Sequence, residues 1–261
     1  MSMTMQLDYR RKCVFVTDSA SGLGRRIAER FHALGATVTI NGPSTDSVQQ
    51  AIKEMGGGPR LIPGPADLAS VAEIRSAAER AIAAMSRLDV LVCSTARGDL
   101  RPIDAVTADY WEAVLAVNLK AAFFAAQACA PALKKSKGSI VNVASVIGLL
   151  GGPSGAAVYS AAKGALTHMS RMMALELAAD GVRVNTFCPG WVDPRAAEPG
   201  ADAASNAALA AYIARRSPFQ RTATMDECAD AVVYLAASVA SYTTGATLVA
   251  DGGLTSGHYH S

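Results

Sequence analysis

The sequence predicts an α/β fold class: a doubly wound parallel sheet of about seven strands with helices on both faces. Short β-branched or apolar runs alternate with amphipathic stretches of helical length, and glycine-rich or polar turns join them. Apolar residues make up 51% and charged residues 18% of the 261-residue chain, which is enough apolar material for one large core. We therefore expect a single domain at 13–261, preceded by a polar N-terminal tail at 1–12.

The order of the elements follows from these runs. Strands are predicted at 13–17, 36–41, 60–66, 88–94, 139–144, 182–188 and 247–250. Helices are predicted at 23–34, 44–55, 70–85, 107–133, 158–179 and 226–237. Gly35, directly after the first helix, is typical of a helix C-terminus. Because ligands bind beyond the carboxyl ends of the strands in such sheets, functional side chains should follow the strands directly.

One segment departs from the alternation. Residues 193–221 are rich in alanine and proline, contain Arg195, Arg215 and Arg216, and carry no strand signal. We expect a substrate lid at about 191–221. The alternative is a helical insertion that packs only on a neighbouring subunit.

Charge and cysteine content exclude several classes of protein. The net charge of +2 comes from 24 basic and 22 acidic residues without a long basic run, so nucleic acid is not expected as a partner. No uncharged apolar run is long enough to cross a bilayer, so we expect a cytoplasmic protein with no membrane partner. The five scattered cysteines predict buried free thiols, and no Cys/His cluster predicts a metal site.

A glycine-containing turn lies between the first strand and the first helix. It reads Thr17-Asp18-Ser19-Ala20-Ser21-Gly22-Leu23-Gly24. Small residues there let the backbone approach a pyrophosphate at a helix N-terminus. By itself, such a turn is equally typical of simple strand-to-helix packing.

A second group of residues predicts proton-transfer chemistry. Tyr159 and Lys163 are four positions apart on a predicted helix, so their side chains share one face. An ammonium close to a phenol favours the phenolate and lowers the phenol pKa. Ser145 follows the predicted strand 139–144 and can donate to a substrate oxygen. The alternatives are a solvated helix face for the pair and a helix cap or turn for the serine.

Together these motifs resemble the short-chain dehydrogenase/reductase family, with its TGxxxGxG turn, over about 13–253. The resemblance implies a Rossmann-like fold, NAD or NADP as cofactor, and a small-molecule alcohol or carbonyl substrate. It also implies catalytic roles. Tyr159 would exchange a proton with the substrate oxygen that Ser145 holds, Lys163 would stabilise the phenolate and bind the nicotinamide ribose, and Asn118 would complete a proton relay. Asn118 could instead satisfy a helix carbonyl.

The resemblance also implies a set of cofactor-binding residues. These are Asp18, Ser19, Ser21, Gly22, Leu23, Gly24, Asn41, Asp67, Leu68, Ser94, Thr95, Asn118, Tyr159, Lys163, Pro189, Gly190 and Val192. Asn41 stands where NAD-dependent members commonly carry an acid, and no arginine beside it would receive a 2′-phosphate. The choice between NAD and NADP therefore stays open.

The chain departs from the family pattern at four places. Asp18 replaces the first glycine of the turn, and its carboxylate could bind the adenosine ribose or obstruct the cofactor. Cys93-Ser94-Thr95-Ala96 replaces Asn-Asn-Ala-Gly, and Pro194 replaces a threonine. Ser145 precedes Tyr159 by fourteen positions instead of the usual thirteen, so the loop 148–155 should reshape the substrate pocket.

The first two departures motivate an alternative function. The chain could be a catalytically impaired homologue that binds a dinucleotide, or no cofactor, and acts as a sensor or a subunit. A third hypothesis, an enoyl reductase or an epimerase, fits the serine and the tyrosine–lysine spacing less well.

Assembly and substrate can be predicted only in outline. The helix 107–133 carries Trp111, Leu115, Leu119 and many alanines, an apolar surface that predicts a homo-oligomer, with a tetramer expected from the family. The substrate pocket should lie between the loops at 95–103 and 147–158 and the lid with Trp191. Arg97 or Arg195 could bind an anionic group of the substrate.

Overall fold

The computed structural model describes residues 7–192, 211–212 and 215–257, and within them the fold class is confirmed. A seven-stranded sheet has the order β3-β2-β1-β4-β5-β6-β7, and every neighbouring pair in it is parallel. Its strands are β1 (Cys13–Val16), β2 (Thr37–Ile40), β3 (Leu61–Pro63), β4 (Val90–Cys93), β5 (Ser139–Val143), β6 (Arg183–Pro189) and β7 (Thr247–Ala250). Each lies within one residue of its predicted bounds except β3 and β4, which are shorter.

Seven α-helices connect the strands in the described residues. They are α1 (Gly22–Ala33), α2 (Thr45–Glu54), α3 (Val71–Met85), α4 (Ala108–Leu115), α5 (Ala121–Ser136), α6 (Ala157–Leu177) and α7 (Met225–Ala236). Ser44, Ser70, Thr107 and Thr224 start four of them by accepting a hydrogen bond from a backbone N–H in the first turn. Gly35 follows α1 with φ of +100°, as its predicted role at the helix end requires.

The sheet separates two apolar cores. On one face, Val14 and Val16 pack with residues of α1, α2 and α7. On the other face, Phe15 packs with residues of α3, α5 and α6. Because successive strand residues point to opposite faces, strands buried on both sides read as continuous apolar runs, which is the pattern in the sequence.

The helix predicted at 107–133 is interrupted. A π-helical turn, Ala116–Lys120, separates α4 from α5 and places Asn118 in the interior. The stretch Ala108–Ser136 is long and apolar enough, by length and composition, to cross a membrane. It nevertheless packs against α3 and the sheet, with Cys129 and Leu133 completely buried, so it is a core helix of this fold.

Part of the predicted N-terminal tail belongs to the core. Tyr9 is buried, its ring meets the Phe31 ring edge-on with centroids 4.8 Å apart, and its hydroxyl donates to the Val233 carbonyl at 2.7 Å. The prediction failed here because a single aromatic residue in a polar stretch gives no periodic signal.

Most of the predicted lid lies outside the described residues, as do Pro194 and Arg195. At its start, Val192 forms a parallel bridge with Ala223.

Candidate active site

The carboxyl ends of four neighbouring strands bring the predicted residues to one edge of the sheet. Asp18 follows β1, Ser94 and Thr95 follow β4, Ser145 follows β5, and Gly190 follows β6. Helix α6 carries Tyr159 and Lys163 alongside this edge. The predicted site residues of this group therefore lie just after strands, where ligands bind in sheets of this kind.

The Ser145 hydroxyl lies close enough to the Tyr159 phenol to lower its pKa. The Ser145 hydroxyl also accepts the Ile147 N–H at 3.3 Å and thereby starts the 3-10 turn Val146–Gly148. This turn lies on α6 so closely that a Cβ on Gly148 would be 2.7 Å from the Gly164 nitrogen. The serine thus stabilises the 3-10 turn and also lies next to the tyrosine.

Lys163 is buried, with 1% of its surface exposed. Its Nζ donates to the carbonyls of Thr95 at 2.7 Å and Val143 at 3.0 Å, beyond the ends of β4 and β5. Burial lowers the pKa of Lys163 to about 8, while electrostatic interactions with Cys188, Cys93 and Asp18 act in the opposite direction. One ammonium hydrogen remains for a further acceptor.

The pKa of Tyr159 moves against the sequence expectation. Burial raises it to about 12, and the hydrogen bond from Ser145 offsets only part of that rise. Lys163 Nζ lies 5.8 Å from the centre of the Tyr159 ring and points to two backbone carbonyls. Helical spacing could place the two groups on one face but could not show how strongly the phenol is desolvated.

The Asn118 side chain forms hydrogen bonds with the backbone of helix α4 and of the loop that follows β4. Its Nδ2 donates to the carbonyls of Arg97 at 2.6 Å and Val114 at 2.9 Å, and its Oδ1 accepts the Arg97 N–H at 3.2 Å. The bond to Val114 is the helix-carbonyl role given above as the alternative. The two Arg97 bonds fix the loop that follows β4, so the side chain acts here chiefly as a clamp on that loop.

The glycine-containing turn is tightly built. Gly24 lies against the backbone of Asp18, where a Cβ would be 2.1 Å from the carbonyl oxygen. Asp18 adopts φ of +52°, a left-handed conformation that aspartate tolerates better than most residues, and its N–H donates to Asn41 Oδ1 at 2.8 Å. Gly22 has φ of +56°, and no atom lies within 4 Å of the position its Cβ would take.

Asn41 connects three strand ends. Besides accepting from Asp18, its amide donates to the Gly64 carbonyl at 2.9 Å, and its backbone carbonyl accepts from Ser19 and Ala20. The side chain is completely buried. Both ends of the amide are therefore bonded within the protein, which gives Asn41 a structural role at the position where NAD-dependent members commonly carry an acid.

Side-chain hydroxyls, instead of amides, form the hydrogen bonds that hold the segment Cys93-Ser94-Thr95-Ala96, which replaces Asn-Asn-Ala-Gly. Ser94 N–H donates to Thr17 Oγ1 at 3.0 Å, and Thr95 Oγ1 donates to the Val117 carbonyl at 2.9 Å. Burial raises the pKa of the Cys93 thiol to about 12, so Cys93 is an inert packing residue. Ser94 Oγ is buried and has no hydrogen-bond partner in the described part of the chain.

These observations fit a dinucleotide. The open space over Gly22 leaves room for a phosphate next to the N-terminus of α1, and the unpaired Ser94 hydroxyl is a polar group that a bound ligand would satisfy.

The remaining predicted cofactor residues lie around this centre. Asp67 is exposed and accepts the Ala69 N–H at 2.9 Å, and Leu68 packs on the core at the end of β3. Gly190 lies against Asp251, where a Cβ would be 2.7 Å from the Asp251 Cα. Asp251 in turn accepts the N–H groups of Gly253 and Thr255. The Asp-Gly-Gly sequence therefore supports the Pro189-Gly190 end of β6.

Two residues near the centre were not predicted. Gly98 lies on the Tyr159 ring, and the Cys188 thiol, at the end of β6, is close enough to influence the pKa of Tyr159 and of Lys163. A glycine in a long loop and an apolar cysteine in a strand carry no local signal of such contacts.

Within 7–192, 211–212 and 215–257, no group of three His, Cys, Asp or Glu side chains is placed to hold a metal ion. All five cysteines are free and buried, which confirms the prediction made for them.

The chain is similar to many known oxidoreductases. A family model described as enoyl-(acyl carrier protein) reductase matches residues 18–255. A 3-oxoacyl-[acyl-carrier-protein] reductase of Thermotoga maritima is 32% identical over 93% of this chain and 97% of its own length. The D-beta-hydroxybutyrate dehydrogenase of Cupriavidus necator is also 32% identical, over 93% of this chain and 97% of its own length.

Solved structures agree with these similarities. A short-chain type dehydrogenase/reductase from Mycobacterium marinum superimposes with a TM-score of 0.88 at 26% identity, covering 96% of this chain and 98% of that one. A short-chain dehydrogenase/reductase from Brucella melitensis, described as a glucose/ribitol dehydrogenase, gives 0.86 at 26% identity and covers 98% and 100%. The chain therefore belongs to the short-chain dehydrogenase/reductase family of NAD(P)-dependent oxidoreductases.

Proposed function

We propose that this protein transfers a hydride between NAD or NADP and an alcohol or carbonyl carbon, with Tyr159 as its acid and base. The observation that carries the proposal is the placement of Ser145, Tyr159 and the buried Lys163 at one edge of the sheet, next to the glycine-containing turn. A bound nicotinamide would supply the hydride acceptor or donor at its C4.

Each residue has a defined task in this proposal. In the oxidation direction Tyr159 takes the alcohol proton while the Ser145 hydroxyl holds the oxygen, and in reduction the same phenol donates. Lys163, with a pKa of about 8, is mostly cationic at neutral pH and stabilises the phenolate. Its remaining N–H is available to a ribose hydroxyl. Asn118 would support a proton relay indirectly, by fixing the loop whose Thr95 carbonyl binds Lys163.

The phenol pKa of about 12 has to fall for oxidation near neutral pH. Ser145 already acts to lower the phenol pKa, and a cationic ligand next to the ring would lower it further. In the reducing direction the phenol is fully protonated at neutral pH, and the same lowering of its pKa would make it a stronger proton donor.

The substrate class rests on the relatives' names and on the loop that follows β4. The two relatives above are described as acting on a 3-oxoacyl group and on 3-hydroxybutyrate. We propose a small hydroxy or oxo compound, with the exposed Arg97 placed to meet an anionic group. The family model's description names enoyl reduction, so an enoyl thioester is the second candidate.

The experiment compares acetoacetyl and crotonyl thioesters as oxidants of NADH and NADPH, with native protein and Tyr159→Phe. Oxidation of the reduced cofactor by acetoacetyl thioester, lost in Tyr159→Phe, supports carbonyl reduction. Turnover of crotonyl thioester alone would replace carbonyl reduction with enoyl reduction.

The choice of cofactor and the impaired-homologue alternative are tested together. Asp18 lies in the glycine-containing turn, where the cofactor is proposed to bind, and its charge acts to raise the pKa of Lys163. If Asp18 obstructs the cofactor, neither NADH nor NADPH binds native protein. Both binding and turnover are then observed only in the Asp18→Gly variant. That outcome would favour a sensor or a subunit.

Assembly and location complete the proposal. Trp111 and Phe123, on α4 and α5, are 42% and 41% exposed, and Leu175 on α6 is 72% exposed. Large apolar side chains grouped on neighbouring helices favour association of copies. We propose a cytoplasmic homotetramer.

A further inference from the structure

The loop that follows β4 lies directly on the ring of Tyr159. A Cβ built on Gly98 would be 2.7 Å from Cδ2 and 3.1 Å from Cε2 of that ring. Real Cβ atoms do not approach so closely, so only a glycine lets the backbone rest here. The loop backbone therefore covers part of the tyrosine that the proposed function requires.

Three ties hold this loop, residues 97–101, which we call the clamp. Asn118 binds both the N–H and the carbonyl of Arg97, at 3.2 and 2.6 Å. The Tyr110 hydroxyl donates to the Asp99 carbonyl. The Arg101 N–H donates to the Gly155 carbonyl at 3.0 Å. A loop bound at its start, middle and end has little freedom to move away from the ring it covers.

Tyr110 connects the clamp to α6 through packing as well. It is 6% exposed and forms a small core with Val114 and Val158, the residue directly before Tyr159. The Arg101 guanidinium lies over its ring, 4.0 Å from the ring centre. One side chain thus contacts the backbone of the loop, a charged side chain of the loop and the first turn of α6.

We propose that Tyr110 is a positioning residue, which holds the clamp against the ring of Tyr159 and so restricts substrate to the hydroxyl edge of that ring. Tyr110 touches no reacting atom itself and acts through Asp99 and Gly98. The kinetic part of the proposal rests on the proposed function; the geometric part does not.

A shift in the titration of Tyr159 reports this geometry, because burial is the largest cause of its raised pKa. The other groups that face the phenol are Ser145 from the turn after β5, Lys163 from α6 and Cys188 from β6. In the described structure the side chain of Tyr110 bonds to Asp99 and packs with Arg101, Val114 and Val158, and no hydrogen bond joins it to any of these groups. A loosened clamp admits water to the ring and lowers the pKa of Tyr159 toward that of a free phenol.

The experiment uses two variants and one matched control. Tyr110→Phe removes the hydroxyl and keeps the ring, Gly98→Ala inserts a methyl group where the Tyr159 ring lies, and Tyr234→Phe removes a hydroxyl from an exposed tyrosine of α7. The phenolate is titrated by NMR of ring-labelled tyrosine, and the Tyr159 signal is assigned with Tyr159→Phe. This readout requires neither cofactor nor substrate, so it tests the clamp even if turnover is absent.

We expect the Tyr159 signal to titrate at lower pH in Tyr110→Phe and in Gly98→Ala, and at the native pH in Tyr234→Phe. With an active substrate, Tyr110→Phe should reduce kcat about tenfold with little change in KM, because orientation is lost while binding contacts remain. A native titration in both Tyr110→Phe and Gly98→Ala overturns the proposal. So does a Tyr110→Phe variant whose only change is a lower Tm.

Discussion

Two ionisable side chains on one turn of α6 are shifted toward their neutral forms. Burial lowers the pKa of Lys163 to about 8 and raises that of Tyr159 to about 12. The sequence places the two residues on one helix face, because a spacing of four is a property of the helix itself. It cannot give the shifts, because these arise mainly from burial by segments that are far apart in sequence.

The Ser145 hydroxyl should set the pH dependence of the proposed reaction. It lies close to the phenol and lowers the pKa of Tyr159. Since oxidation requires the phenolate, its rate should rise with pH through the pKa of Tyr159. In Ser145→Ala that rising limb should lie at higher pH, because the hydrogen bond to the phenolate is lost.

The measurement is kcat/KM for alcohol oxidation against pH, together with the phenolate titration of the protein alone. Ser160→Ala provides the control, because its hydroxyl donates to the Ile147 carbonyl on the same loop at 2.7 Å. A rising limb that stays at the native pH in Ser145→Ala would contradict the assigned bond.

At the scale of helices and strands, patterns that recur along the sequence predict the elements. Local features that occur only once in the chain are not predicted. Alternation of apolar runs predicts every strand of the sheet, and amphipathic stretches predict the helices between them. The π turn at Ala116–Lys120 is one inserted residue that hydrophobic periodicity does not register. The clamp on Tyr159 depends on contacts between residues far apart in sequence, and a lone glycine or tyrosine gives no hint of them.

The strand-to-helix turn should fail when Gly24 gains a side chain. In Gly24→Ala the new methyl group would meet the Asp18 carbonyl carbon and oxygen at 2.9 and 2.1 Å, so either the turn or α1 must shift. We expect a loss of about 1–3 kcal/mol in the free energy of unfolding, as for other overpacked sites. Binding of reduced dinucleotide should weaken at least tenfold.

Urea unfolding and NADH or NADPH titration measure the two effects of this change. Gly151→Ala is the matched control, because no atom lies within 4 Å of its Cβ position and its φ is not positive. If Gly24→Ala binds dinucleotide like Gly151→Ala, the turn does not serve the cofactor.

At the scale of the whole molecule, the sheet order explains why the predicted site forms. Residues 18, 94, 145 and 190 are far apart in sequence but follow neighbouring strands in the order β1-β4-β5-β6. The fold class and the strand edge could be predicted from sequence for that reason. Surface properties could be predicted less well, since burial of α4 and α5 against their own sheet decides which apolar residues remain exposed.

The exposed apolar residues of α4 and α5 should lie in an interface between copies. Replacing Trp111 and Phe123 with glutamate places charges at positions that association would bury, so the assembly should dissociate. Light scattering after size exclusion measures the mass. Lys53→Glu, on the exposed side of α2, should keep the native mass. A native protein that is monomeric at micromolar concentration would contradict the proposed assembly.

Separate calorimetric titrations with NADH and NADPH test the central claim most directly, because every proposed step requires a dinucleotide next to Tyr159. We expect saturable binding of at least one of them to native protein, and equal binding to Tyr159→Phe within about threefold, since the phenol serves chemistry more than affinity. Absence of binding to native protein, with binding restored by Asp18→Gly, would contradict it and would leave a homologue that has lost the proposed reaction.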